Sequence, residues 1–162
     1  MAGSSRIDHL MENINRLIYT ATPTNRYATF FYGQYDPVLR RLTYLNAGHN
    51  APMLLRTRGC APECFRLEIG GPPVGLLADA RYEGAYIDLK PGDVLLLFTD
   101  GMSEAMNSAD EEWGEIRLNE AVSNSVSKSS AEIVQELFRQ ADAFTAGAPQ
   151  HDDMTVVVAR VL

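Results

Sequence analysis

Cysteine, histidine and tryptophan are scarce in this chain: two, three and one among 162 residues. Each scarcity closes a class of protein. Two cysteines cannot form the disulfide framework that staples small secreted domains. Cys60 and Cys64, in "GCAPEC", would supply half of a tetrahedral zinc set, and no other His or Cys is spaced to complete it. They read as ordinary thiols near a loop. His9, His49 and His151 form no metal-binding spacing, and the chain has no G-x-S-x-G elbow, P-loop or H-E-x-x-H. No apolar run approaches the roughly 20 residues of a membrane helix. The start, "MAGSSRIDHL", lacks the basic and apolar regions of a signal peptide. The reading is a soluble, cytoplasmic protein without a membrane partner. Positive charge is also short, at 14 basic against 21 acidic residues, net −7. That disfavours a nucleic-acid partner. The acidic surplus serves solubility first, and it is compatible with a site that collects cations.

What is present points to one domain over residues 1–162. Apolar residues make up 46% of the chain, enough for a single core. Ile7, Leu10, Met11, Ile14, Leu17 and Ile18 recur at helical spacing, which predicts an amphipathic helix over about 6–20. "RYATFFYGQYD" and "LTYLNA", joined by a short turn at Pro37, read as a hairpin. "MLLRTR" is the next strand; "GCAPE" then turns the chain into "CFRLEI". "GGPPVGLL" is too rich in Gly and Pro for regular structure, and reads as a structural loop. "YEGAYIDL" alternates like a half-buried strand, while the unbroken "VLLLF" reads as covered on both faces. Later come "EIRLNEAVSNSV" at helical spacing and a capping box, Ser129 and Glu132, before the stripe Ile133, Val134, Leu137, Phe138, Ala141 and Phe144. "MTVVVARVL" closes the chain as a strand. Strand follows strand through short turns, and the helices are grouped. The class is therefore α+β, with mainly antiparallel sheet covered by helices.

Chemistry concentrates at two strand ends. "FTDGMSEA" puts Asp100 just past a buried strand, and "QHDDMT" puts Asp152 and Asp153 just before another. If the two strands are antiparallel neighbours, these carboxylates meet at one rim. Like charges held there repel by a few kcal/mol per pair at an effective dielectric of about 20. Either a carboxyl takes up a proton or a cation sits between them. Oxygen donors select hard ions such as Mg²⁺ or Mn²⁺, which make a bound water nucleophilic and clamp a phosphoryl oxygen. The plainer alternative stands beside this. "TDG" is a common turn, and Asp is an ordinary helix cap. A Ca²⁺ loop in "NSADEEWGE" has acids without EF-hand spacing.

Five segments now stand in order: "LTYLNAGHNAPMLLR", "GGPPVGLL", "LKPGDVLLLFTDGMSEAMN", "WGEIRL" and "QHDDMTVVVARV". Together they resemble the bacterial, stage II sporulation protein E-type branch of the phosphatase 2C superfamily, from about residue 26 to 162. The resemblance implies a β-sandwich flanked by helices. It implies hydrolysis of phosphoserine and phosphothreonine in a regulatory protein such as an anti-sigma-factor antagonist, using two Mn²⁺ or Mg²⁺ ions. By position, Asp100 and Asp152 match metal-ligand aspartates. Asp153 stands where other branches carry Asn, and Glu104 where some relatives keep an acid near an extra metal. Gly101 would let backbone approach the site without a Cβ. In "NAGHN", His49 could meet a phosphate or donate a proton; the favoured reading is that Asn46, Gly48, His49 and Asn50 shape a tight turn.

One departure qualifies this. The family's early Gly-Asp pair and Asp-x-Ser-Gly-x-Gly stretch, which supply metal ligands including a bridging one, do not occur in this sequence. The expectation is an N-terminally incomplete domain: either a fragment or a shortened relative that binds a regulatory partner without catalysing. Such a chain would have weak metal binding, little turnover alone, and a bare sheet edge open to a second copy.

Overall fold

The computed structural model describes residues 4–23, 26–59 and 61–162, so the reading of Cys60 lies outside the described residues. In chain order the elements are α1 (Ser4–Ala21), β1 (Phe30–Asp36), β2 (Arg41–Ala47), β3 (Met53–Arg58), β4 (Ala61–Arg66), β5 (Gly70–Gly71), β6 (Ala85–Asp88), β7 (Val94–Phe98), α2 (Asp100–Ser103), α3 (Gly114–Ser123), α4 (Ser130–Thr145) and β8 (Val156–Arg160). They divide between two compact units, Met1–Ala51 with Leu67–Leu89, and Pro52–Arg66 with Lys90–Leu162.

In the first unit, β2 pairs with β1 on one side and with β6 and β5 on the other. The β1–β2 hairpin turns where predicted, held by Asp36, whose Oδ1 accepts from the amides of Val38 and Leu39, both at 2.9 Å. The two-residue β2–β5 pair is parallel, a short exception within the mainly antiparallel sheet that the sequence predicts. Its cause is glycine: a Cβ on Gly70 would stand 1.7 Å from the carbonyl oxygen of Asn46. Only a bare backbone fits there, so the "GG" of the loop serves briefly as strand. The core is Ile7, Met11, Leu45, Ala47, Val74, Ala80 and Tyr82, with Ile14 and Ile18 partly buried against it. The helical stripe is thus narrower than its spacing suggests, since Leu10 and Leu17 are exposed. Asn15, 1% exposed, ties α1 to the Gly/Pro loop: it accepts from Gly75 N at 2.8 Å and donates to Leu77 O at 2.9 Å.

The second unit has strand order β4-β3-β7-β8, all antiparallel. Strand β4 begins at Ala61, earlier than the turn read into "GCAPE". Pro62 is tolerated because β4 is an edge, hydrogen-bonded only to β3 among the described residues. In β7, Val94, Leu96 and Phe98 are buried while Leu95 and Leu97 are half-buried, so one face is sealed and the other partly covered. The sealed face joins Met53, Leu55, Met102, Trp113, Leu118, Ile133 and Leu137 in one cluster. Helix α4 starts on the predicted capping box: the Ser129 hydroxyl accepts from Glu132 N, and Glu132 Oε2 accepts from Ser129 N at 2.9 Å. It ends with Ala146 and Gly147 in left-handed conformation, at φ 49° and 85°. At the start of β7, the nearly buried Asp93 receives Arg56, with Nη2 to Oδ2 at 2.6 Å. Such a pair holds geometry more than it adds stability, because burial strips water from both charges.

Candidate active site

The strand register decides whether the two acidic ends meet. β7 and β8 pair antiparallel, with Phe98 opposite Val156, so the exit of one lies beside the entrance of the other. Thr99 extends the pairing past the last ladder residue. Its amide donates to Thr155 O at 3.1 Å; its hydroxyl donates to Asp153 O and accepts from Thr155 N, both at 3.0 Å. The Asp152–Asp153 stretch is thereby latched to the "TDG" turn. Gly101 completes the approach: a Cβ there would lie 2.5 Å from the Asp153 carbonyl oxygen and 3.2 Å from the Asp152 carbonyl carbon. An alanine would push the two segments apart, so glycine is required by packing although its φ is ordinary.

Asp100, Asp152 and Asp153 are all exposed at this rim. The Asp100 carboxylate accepts from Gly101 N at 2.9 Å, and the Asp152 carboxylate from Asp153 N at 2.7 Å. Glu104, also exposed, joins Gly101, Asp142, His151 and Asp152 around a hollow of about 340 Å³, which Asp100 and Asp153 do not line. Backbone thus brings the predicted residues to one place, with the carboxylates spread around it. Their chemistry suits a hard cation, being all oxygen and water-accessible. Their number does not close a site: among the described residues, no group of three His, Cys, Asp or Glu side chains could hold a metal ion. The residues present therefore fit a share of an ion site rather than a whole one.

The other sequence-level candidates take structural places. Asn46, buried, accepts from His49 N at 2.7 Å and donates to His49 O at 2.9 Å, while Gly48 turns at φ 70°. His49 Nδ1 lies 3.1 Å from the Thr29 hydroxyl. "NAGHN" is a braced turn in the first unit. In the acidic loop, Asn107 Oδ1 accepts from the amides of Ala109 and Glu111, at 2.9 and 3.1 Å. That loop closes on itself as a turn, without a ring of ligands. Burial pushes the Cys64 thiol above its usual range, away from the thiolate form. The sequence reading missed Thr99. Its hydroxyl bonds residues more than fifty positions away, so nothing local in the sequence marks it.

Two antiparallel-rich sheets with grouped helices and an acidic rim between adjacent strand ends define a phosphatase 2C-like α+β fold. The phosphatase domain of the cell fate determinant SpoIIE from Bacillus subtilis, solved with a fragment of its regulatory domain, superposes with a TM-score of 0.75 at 23% identity over 95% of this chain and 44% of that one. The RsbU and RsbW domains of Rv1364c from Mycobacterium tuberculosis superpose at 0.68, with 22% identity over 96% and 42%. The chain belongs to the Stage II sporulation protein E (SpoIIE) family, which it matches over residues 1–162. Among relatives, Protein IcfG of Synechocystis sp. is 30% identical over 131 residues, covering 81% of this chain and 20% of IcfG. The phosphoserine phosphatase RsbU of Bacillus subtilis is 25% identical over 154 residues, covering 93% and 44%. The chain therefore spans less than half the length of either relative.

Proposed function

We propose that this chain is the part of a metal-dependent protein serine/threonine phosphatase domain that carries the "TDG" and "DDMT" side of the catalytic centre. The carrying observation is the contact of Gly101 with the Asp152–Asp153 backbone, which sets Asp100 and Asp152 at one rim. In this reading Asp100 and Asp152 each lend carboxylate oxygens to Mn²⁺ or Mg²⁺, Asp153 and Glu104 stand further out, and Gly101 sets the spacing. Bound there, such an ion would supply an acidified water as nucleophile. The protein's own part is to hold the two carboxylates on latched strand ends so that they need not reorganise. The substrate class in this reading is a regulatory phosphoserine or phosphothreonine protein in the cytoplasm, such as an anti-sigma-factor antagonist; the similarity to RsbU, a phosphoserine phosphatase, supports the phosphoserine part. The exposed outer edge of β1 supports self-association of the chain.

With two placed carboxylates, the chain alone binds Mn²⁺ weakly and turns over little phosphopeptide. Calorimetric titration with Mn²⁺ should give weak binding that Asp100→Asn and Asp152→Asn abolish. Binding indifferent to both changes would refute the rim as an ion site. Turnover of a phosphoserine peptide by the chain alone, lost in Asp100→Asn, would overturn the inactivity and keep the rim. The competing reading is a binding module for a regulatory partner. It predicts no turnover even when the chain is part of a longer reading frame, whereas a frame that encodes Gly-Asp and Asp-x-Ser-Gly segments marks the parent as an enzyme.

A further inference from the structure

The strands that hold the acidic rim carry the opposite charge at their other ends. Val94 at the start of β7 lies opposite Arg160 at the end of β8. Arg56, Lys90, Asp93 and Arg160, with Thr57 and Ser127, line a cavity of about 410 Å³. Three cations face one carboxylate there, in a chain whose net charge is −7. At about 3.3 Å per strand residue, Asp93 is on the order of 20 Å from Asp100.

We infer that this cavity is a binding site for a phosphate-class oxyanion, separate from the acidic rim. Its wall is built in. The Arg56 side chain is 9% exposed and gripped by Asp93, with Nε to Oδ1 at 3.0 Å and Nη2 to Oδ2 at 2.6 Å. Asp93 thereby cancels the charge of Arg56, and among the described residues no carboxylate pairs with Lys90 or Arg160. Lys90 rises from a fixed base: its amide donates to Asp93 Oδ2 at 2.8 Å, and its carbonyl accepts from Asp93 N at 3.0 Å. Gly92, at φ 89°, makes that turn. Arg160 rests on a carbonyl lip, with Nη2 donating to Val126 O at 2.5 Å and also to Lys128 O. Both bonds use Nη2, which leaves the Nε and Nη1 donors for a ligand. A guanidinium fork beside an ammonium, with the hydroxyls of Thr57 and Ser127 in the same wall, matches the several oxygens of a tetrahedral dianion better than a point anion such as chloride. The phosphate could be free or carried on a peptide side chain; the recognition chemistry is the same.

The test uses the whole chain in the presence of a chelator, so that no divalent cation acts at the rim. Inorganic phosphate and a phosphoserine peptide are titrated separately at constant ionic strength, followed by amide NMR shifts. Saturable shifts are expected at Thr57, Lys90, Gly92, Asp93, Ser127 and Arg160. Lys90→Ala and Arg160→Gln should each weaken binding by about tenfold or more, as expected for loss of a charge-assisted hydrogen bond. Lys90→Ala removes an exposed side chain and keeps the backbone contacts, so it tests the site without risk to the fold. Tighter binding of phosphate than of peptide identifies the free ion as the ligand, and the reverse identifies a phosphorylated chain. Equal shifts from chloride, binding unchanged in Lys90→Ala, or shifts confined to Asp100 and Asp152 would each overturn the assignment. The chelator makes this result independent of whether the rim is catalytic.

Discussion

At the scale of single residues, Thr99 and Gly101 do more to define the rim than the aspartates do. The aspartates are exposed and make only local amide contacts. The threonine hydroxyl bonds both partners on the opposing strand, and the glycine sets how closely the strands approach. Thr99→Val keeps the shape and removes both hydroxyl bonds. It should destabilise the chain by about 0.5–1.5 kcal/mol, the net worth of exposed hydrogen bonding whose partners, Thr155 N and Asp153 O, then turn to water. Denaturant unfolding measures this, and Mn²⁺ titration should show weaker binding even though no carboxylate has changed. Unaltered stability and metal affinity would show that the ladder alone holds the rim. These residues also mark the limit of reading a site from sequence. Asp100 and Asp152 stood out because acidic residues flank two apolar runs, one at its exit and one at its entrance. The latch was less legible because Thr is an ordinary strand residue, and only the partner strand shows which atoms its hydroxyl meets.

At the scale of elements, periodicity and caps were read well and close contacts were not. Ser129 and Glu132 fix the start of α4 through local bonds, so four residues of sequence contain the whole signal. The β1–β2 hairpin was legible for the same reason. Strand β5 was not: it exists only because Gly70 passes against Asn46, a contact between residues far apart in the chain. The outer limits of the α1 stripe depend likewise on what packs over it, which spacing cannot tell. Helix α4 carries a further local device. Arg139 and Gln140 hydrogen-bond Glu136 and hold its carboxyl down at about 2, against an ordinary 4.5. A carboxylate with a lowered folded-state value stabilises the chain fully above its unfolded value and loses that contribution as pH falls through the folded one. Glu136 should therefore contribute above about pH 4.5 and cease to do so near pH 2. Glu136→Gln should flatten the fall in thermal midpoint between those limits. A wild-type and variant pair with parallel pH profiles would contradict it.

At the scale of the whole molecule, edge pairing and net charge oppose each other. Strand β1 is hydrogen-bonded only to β2 among the described residues, and much of it is exposed, including Phe30 and Tyr35. Its one charge is Asp36, at its end. In an antiparallel pair of two β1 strands about Gly33, Asp36 of each copy would face Phe30 of the other, so no like charges are opposed. Such an edge has few of the charges that normally block addition of another strand. Against this, each copy brings a net charge of −7, and two copies repel at a distance. Salt screens the long-range repulsion, with a Debye length of about 10 Å at 0.1 M, and leaves edge hydrogen bonds largely intact. Self-association should therefore strengthen as salt rises, the opposite of an interface held by ion pairs. Sedimentation at several chain and salt concentrations measures the balance. Tyr35→Lys, which adds a charge at an exposed edge position, should shift the chain towards monomer at every salt concentration. A monomer throughout, or a dimer that salt dissolves, would show that β1 is not the surface through which copies meet.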